Sequence, residues 1–187
     1  MFAFINPPAR IPFWLRTGIL ISERITGKTM LPARILAWYP RVAVGSGVLE
    51  SLVVHEDGLM DKRMLKLIRM AASFATACPF CIDMNSFEYQ GCGISDEEAE
   101  ALRLHADPEY VSTFSERERL AIVYSRLISQ TPLAFSPDIV ERVKSVFSER
   151  EMVILSSTAA QVNYWARLIQ ALGIPPAGFN EECEVKF

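Results

Sequence analysis

The chain is 187 residues long, enough for one domain with a sizeable core, or one domain with an extra arm, and it needs no disulfide staples to fold. Nineteen Lys and Arg against 22 Asp and Glu leave a net charge of −3 with the signs interspersed, so no basic stripe marks a nucleic-acid binder. Half of the residues are hydrophobic, more than a solvated monomer needs, and the surplus is expected to cover a subunit interface.

Residues 1–30, rich in Pro and Phe, read as an arm that packs on the body or on a neighbouring subunit. The apolar stretch in this arm is broken by Pro12 and Arg16 and followed by Glu23 and Arg24, which argues against a secretory signal. Helices are expected near 12–24, 32–39 and 41–55; the strand-like runs at 42–45 and 51–54 fall inside the third. The next helix, 61–76, carries Met64, Ile68, Ala71 and Ala75 on one face, with Leu65 and Ala72 beside them. Further helices follow at 79–90, 95–104, 115–129, 136–147 and 148–172. Their starts are marked by Ser95 with Glu98, Ser115 with Glu118 and Ser148 with Glu151, each at capping-box spacing. Ser136-Pro137 reads as an N-cap followed by a first-turn proline. Gly91-Cys92-Gly93 is expected to stop the 79–90 helix, and Gly173-Ile174-Pro175 the last one. The longest uncharged run, Met152 to Ala166, contains Gln161 and Asn163 and falls short of the ~20 residues a membrane helix requires. The expected class is an all-α bundle: an arm over 1–30, a helical domain over 31–175 and a tail over 176–187 that extends along the surface.

Cys78-Pro79-Phe80-Cys81 carries the chemistry. Pro79 suits the first helical position, where its missing N–H costs nothing. That puts Cys78 at the N-cap, where free N–H groups and the positive dipole end favour a thiolate. The effect is large: a thiol of pKa ~8.5 is ~3% ionised at pH 7, and one lowered to ~6 is ~90% ionised, a difference of about 3.4 kcal/mol. On a helix, Cys78, Cys81 and Asn85 share a face, with Asn85 one turn beyond Cys81 and able to bond its sulfur or a substrate. Glu88 would follow a further turn along. Such a pair supports a two-step cycle in which one sulfur attacks a peroxide oxygen and becomes sulfenic acid. The second sulfur condenses with it, and an external dithiol resets the disulfide.

The remaining candidates point to structure. The four cysteines are completed by Cys92 and Cys183, and the histidines are His55 and His105. None stands at a second zinc-knuckle spacing. Cys92 would sit about three turns and ~16 Å along the helix from Cys81, as a small helix-end residue. Cys183 reads as an incidental tail thiol, and the histidines as solvated caps. Asn163 and Arg167, at i and i+4, are expected to pin helices or subunits. Gly45-Ser46-Gly47 lacks the strand and third glycine of a nucleotide loop. Trp14, Trp38 and Trp165 read as core or interface mass. With no disulfide framework and no secretory signal, the expected compartment is the reducing cytoplasm, where a CxxC pair acts in catalysis or metal binding.

The pair and its flanks resemble the carboxymuconolactone decarboxylase and alkylhydroperoxidase D-like family. The resemblance lies in Cys78, Cys81 and the position of Asn85, in the turn Gly91-Cys92-Gly93-Ile94-Ser95, and in the closing stretch from Asn163 through Trp165 and Arg167 to Gly173. It covers roughly residues 35 to 175. It implies an all-helical fold, a homo-oligomer (a trimer, dimer or hexamer) and a peroxidase or disulfide-reductase activity without metal or organic cofactor. The partners it implies are a peroxide or small disulfide as substrate and a dithiol or protein reductant. In that scheme Cys81 is the peroxidatic thiol and Cys78 the resolving thiol and proton donor, whereas the helix-terminus argument makes Cys78 the more acidic. The family's relay is a histidine and an upstream glutamate. Here Asn85 stands in the histidine position and cannot titrate, which leaves it a positioning role, and Lys66, twelve residues before Cys78, stands in the glutamate position. His55 or Glu50 from the preceding helix is the candidate substitute. Two other functions fit the chain: a lactone decarboxylase independent of the cysteines, and a non-catalytic redox-responsive interaction protein.

Overall fold

The computed structural model describes residues 3–53 and 56–180. Among these residues the regular structure is helical: α1 (Phe13–Thr26), α2 (Leu31–Leu36), α3 (Pro40–Val53), α4 (Lys62–Ala75), α5 (Pro79–Asn85), α6 (Asp96–Arg103), α7 (Glu116–Ile128), α8 (Pro137–Val146) and α9 (Glu149–Ala171). Two 3-10 turns, Gln90–Cys92 and Pro108–Tyr110, join the later helices. The all-α expectation holds.

The helix starts follow from local side-chain chemistry. Ser95, Ser115 and Ser148 each accept the N3 backbone N–H, and Glu98, Glu118 and Glu151 each accept the N–H of their own cap residue. Each box satisfies two donors that a helix start otherwise leaves bare. Ser136 caps α8 with Pro137 behind it, as read from the sequence. Asp61 caps α4 through a 2.8 Å bond from the Met64 N–H.

Helix α4 is the centre of the bundle, and it is apolar on both sides. Met64, Leu65, Ile68 and Ala72 pack on α7, α8 and α9 through Leu120, Val143, Leu155 and Val162. Leu67, Met70, Ala71 and Phe74 face Ile82, Ile94, Leu102 and Ile122. Two of its faces are apolar, and each is buried against a different set of neighbours. Arg63, at its start, ties three elements together. Its guanidinium bonds Glu118 at 2.6 Å, Glu98 at 2.7 and 3.1 Å, and the Gly93 carbonyl. The two carboxylates are those of the capping boxes of α6 and α7.

The last helix is pinned to the end of α7 as expected. Asn163 donates to Ser129 Oγ at 3.0 Å, and Arg167 donates to Thr131 Oγ1 at 2.6 Å. At the other end of the chain, α1 lays Leu15 and Ile19 on Ala33, Ala37 and Ala43. Glu23 takes both Arg34 Nε and Nη2 at 2.6 Å, latching α1 to α2. Phe13, Trp14, Ile21 and Ile25 of α1 and Val44 and Val48 of α3 remain exposed. No helix among the described residues is long and apolar enough to cross a membrane.

One boundary differs from expectation. The cysteine helix ends at Asn85, not near Gln90. Ser86 closes it, the chain passes through a left-handed Glu88 (φ 53°), and Lys66 Nζ takes the freed Phe87 carbonyl at 2.5 Å. Glu88 is therefore an exposed turn residue and not a third step along the cysteine face. Cys92 lies in the following 3-10 turn, off that helix altogether. The stop is long-range in origin: Phe87 meets Phe179 (ring centroids 5.7 Å apart), and Ile94 beyond the turn enters the core.

Candidate active site

The cysteine helix begins with an abrupt reversal. Ala77 takes a left-handed conformation (φ 47°), and Cys78 is extended at the N-cap. Its sulfur accepts the Cys81 backbone N–H at 3.3 Å, with Pro79 at the first helical position. The N-cap placement expected from Cys78-Pro79 is the one observed.

Both sulfurs are free thiols buried among Ile35, Phe80, Ala166, Ile169 and Ile174. Burial alone would raise both pKa values. The pair divides instead. The Cys81 thiol donates to the Cys78 sulfur, and with the N–H groups of Cys81 and Phe80 this holds Cys78 below the ordinary thiol value despite its burial. Cys81 is pushed up, first because its proton is engaged by Cys78, then by burial and by the negative charge it faces. Cys78 is the more acidic sulfur of the pair, and Cys81 the less acidic.

Access runs the other way. A cavity of about 260 Å³ lies between α1–α3 on one side and α4, α5 and α9 on the other, and Cys81 lines it while Cys78 does not. Apolar side chains such as Met30, Leu36, Met84 and Ile169 form most of its wall. The volume exceeds the ~150 Å³ of an apolar cavity that holds benzene.

The polar groups of the cavity come from five helices, Ser22 and Thr26 of α1 among them. Glu50 of α3 accepts Gln161 Nε2 at 2.6 Å and Trp165 Nε1 at 2.9 Å. Arg69 of α4 lines the same space; burial lowers its pKa and the Glu50 charge offsets part of that. It remains a cation, since arginine does not deprotonate in proteins. Asn85 also lines the cavity, but its Nδ2 donates to Ser73 Oγ at 2.9 Å. That bond replaces the expected contact with the Cys81 sulfur.

Other sequence candidates lie elsewhere. Lys66 does not line the cavity; it is spent on the Phe87 carbonyl, and burial lowers its pKa. Trp165 is a site residue through its indole N–H and not only packing mass, whereas Trp38 donates to the Asn6 carbonyl at 2.8 Å. His105 is an exposed left-handed residue after α6. His55 and Cys183 lie outside the described residues. Sequence reasoning left out Arg69, Gln161 and Ser73. Two had a readable signal: Arg69 and Ser73 are polar residues within the apolar second half of α4.

No family model matches the chain. The Ralstonia eutropha JMP134 alkylhydroperoxidase AhpD core, an uncharacterized peroxidase-related protein, superposes with a TM-score of 0.77 at 16% identity, covering 94% of this chain and 93% of that one. The chain has the alkylhydroperoxidase D-like fold. The resemblance drawn from Cys78, Cys81 and their flanks therefore holds for the architecture. The debrominase Bmp8, solved with 2,3,4-tribromopyrrole, shares this D-like fold at a TM-score of 0.74 and 17% identity, over 92% of this chain and 91% of that one. In sequence, the Escherichia coli K12 uncharacterized protein YnjA is 26% identical over 175 residues, 93% of this chain and 94% of its own length.

Proposed function

We propose that the protein is a thiol-dependent oxidoreductase that reduces a peroxide or a small disulfide through Cys78 and Cys81. One observation carries the reading: a sequestered, more acidic sulfur at a helix N-cap is paired with a less acidic thiol that faces a substrate-sized cavity. Cys78 takes the Cys81 proton along the hydrogen bond between the two sulfurs. The resulting Cys81 thiolate attacks the terminal peroxide oxygen; the S–O bond forms, the O–O bond breaks, and an alkoxide leaves. Cys78 then attacks the sulfenic sulfur, the disulfide forms, and hydroxide departs as water with the Cys78 proton. The sum is one peroxide, one thiolate, one thiol and one proton from solvent giving an alcohol, water and a disulfide, reset by an external dithiol or protein reductant. This assigns the attack to Cys81 and the acidity to Cys78, so the two sequence arguments describe successive roles in one cycle. The reducing cytoplasm is the compartment in which such a pair is kept cycling. The open apolar face of α1 and α3 fits a homo-oligomer.

The test is peroxide consumption with dithiothreitol as reductant. The wild type is expected to turn over hydrogen peroxide or cumene hydroperoxide and to form the Cys78–Cys81 disulfide, detected by mass spectrometry, and Cys81→Ser to do neither. Equal rates for the two proteins would remove the assignment.

The cavity volume favours a second reading on the same dithiol. A halogenated ring fits the space, and two thiols can convert an aryl bromide to the arene, bromide and a proton as the disulfide forms. Bromide release from 2,3,4-tribromopyrrole, absent in Cys81→Ser, separates this reading from the first.

A further inference from the structure

Gly47 serves no purpose that its own helix supplies. It lies inside α3 and does not take the left-handed conformation that favours glycine. In a helix interior glycine loses more chain freedom than alanine and costs stability. Close packing does not require it either: among the described residues, a Cβ at this position would meet no atom of a neighbouring element within 4 Å.

Its position relative to the cavity supplies a reason. Ala43, Gly47 and Glu50 stand at i, i+4 and i+7 of α3, so they share a face, and all three line the cavity that Cys81 meets. Among the described residues of that lining, Gly47 alone is exposed. The rest of the wall, from Leu36 and Phe80 to Met84 and Trp165, is buried or half-buried. The cavity therefore meets solvent at the bare backbone of α3. Gly45, the other glycine of the Gly45-Ser46-Gly47 run, does not line the cavity, and the Ser46 hydroxyl between them turns to the Tyr164 hydroxyl at 2.7 Å.

We propose that Gly47 is the doorway and size filter of the cavity, an inference that rests on the thiol-peroxidase reading for the identity of what passes. A hydroperoxide with a compact apolar group, branched or ring-sized, enters over the Gly47 backbone. Its organic group lies against Met30, Leu36 and Ile169 while the peroxide reaches Cys81. A side chain at Gly47 would project on the face of Ala43 and Glu50, into that passage. Hydrogen peroxide has no organic group to bring through it.

The test grows a side chain at this one position. Gly47→Ala and Gly47→Leu meet no neighbour at Cβ and replace a residue poorly suited to a helix, so both should fold. Gly47→Ala should raise Tm by about 2–4 °C. The readout is the ratio of kcat/KM on cumene hydroperoxide to kcat/KM on hydrogen peroxide, with dithiothreitol as reductant. One methylene in an apolar site shifts discrimination by ~10–200-fold, so Gly47→Leu should lower the ratio at least about 10-fold, chiefly through KM for the cumene substrate. Gly47→Ala should lie between Gly47→Leu and wild type. Gly45→Leu puts the same side chain on the same helix outside the cavity and should keep the ratio within about 2-fold of wild type. An unchanged ratio in Gly47→Leu, or an equal fall in Gly45→Leu, would overturn the proposal. A wild type inert toward both peroxides would refute the peroxidase reading instead, and binding alone would then decide the doorway. Cumyl alcohol, which has no O–O bond to react, should raise the Tm of the wild type and not that of Gly47→Leu. Equal shifts, or no shift in the wild type, would overturn the doorway.

Discussion

Arg63→Met tests whether one half-buried guanidinium holds α4 to the starts of α6 and α7. Arg63 has about a quarter of its side chain exposed, and its partners Glu98 and Glu118 are largely buried. Hydrogen bonding to Glu98 raises its pKa first, with Glu118 adding to it against burial. Methionine keeps the apolar stem and removes the charge, leaving two carboxylates with only their capping bonds. Breaking a buried pair by removing one partner costs about 3–5 kcal/mol, and the part-exposed geometry here places the loss near the lower end, about 3 kcal/mol. For a chain of this size each kcal/mol lowers Tm by ~2–4 °C, so a drop of ~6–12 °C is expected by differential scanning calorimetry. Arg103→Met is the internal control: Arg103 meets Glu100 with both side chains more than two-fifths exposed, and a surface pair contributes only ~0–1 kcal/mol. A fall below ~2 °C for Arg63→Met, no more than a surface pair can supply, would refute the claim that this network holds α4 to the starts of α6 and α7.

Acid should reveal the same network. Burial pushes the Glu98 carboxyl up, yet Arg63 and the Ser95 N–H outweigh it and hold the pKa below the usual carboxylate value. A carboxylate depressed in the folded state stabilises fully above its unfolded value of ~4.3 and loses that contribution as pH falls through the folded one. Urea midpoints should therefore hold from pH 7 to about 5 and decline below ~4.3, with a shallower decline in Arg63→Met. In Cys78→Ser the hydroxyl keeps the N-cap, so stability should change by no more than about 1 kcal/mol. Peroxide turnover should nevertheless stop, and dimedone should trap little Cys81 sulfenic acid, because a serine hydroxyl does not take the Cys81 proton. Asp83→Asn addresses the strap behind the cysteine helix. The Asp83 carboxylate accepts the N–H groups of Gly178, Phe179 and Asn180 at 2.8, 3.1 and 2.8 Å. An amide offers one acceptor oxygen in place of two, so a loss of about 1–3 kcal/mol and faster proteolytic cleavage after Gly173 are expected.

Sequence legibility here follows the range of the interaction. The caps at Ser95, Ser115, Ser136 and Ser148 were readable because a hydroxyl and an N–H three residues on are brought together by the helix start itself. Cys78 at the start of α5 was readable for the same reason, with Pro79 as the marker. The end of α5 was not: Asn85 is the last helical residue because Lys66, Phe179 and Ile94 claim the chain beyond it. None of those partners is a neighbour in sequence.

The chain alone settled that the protein is helical, that Cys78 caps a helix and that Cys81 stands one turn inside it, since each depends on spacing and backbone geometry within a few residues. Packing decided which sulfur meets a cavity, turned Lys66 and Asn85 to other partners, and brought Glu50 opposite Cys81 through Gln161 and Trp165. Those outcomes depend on how α3 and α9 close over α4 and α5. A contact between residues 111 apart leaves no periodic trace in the order of amino acids.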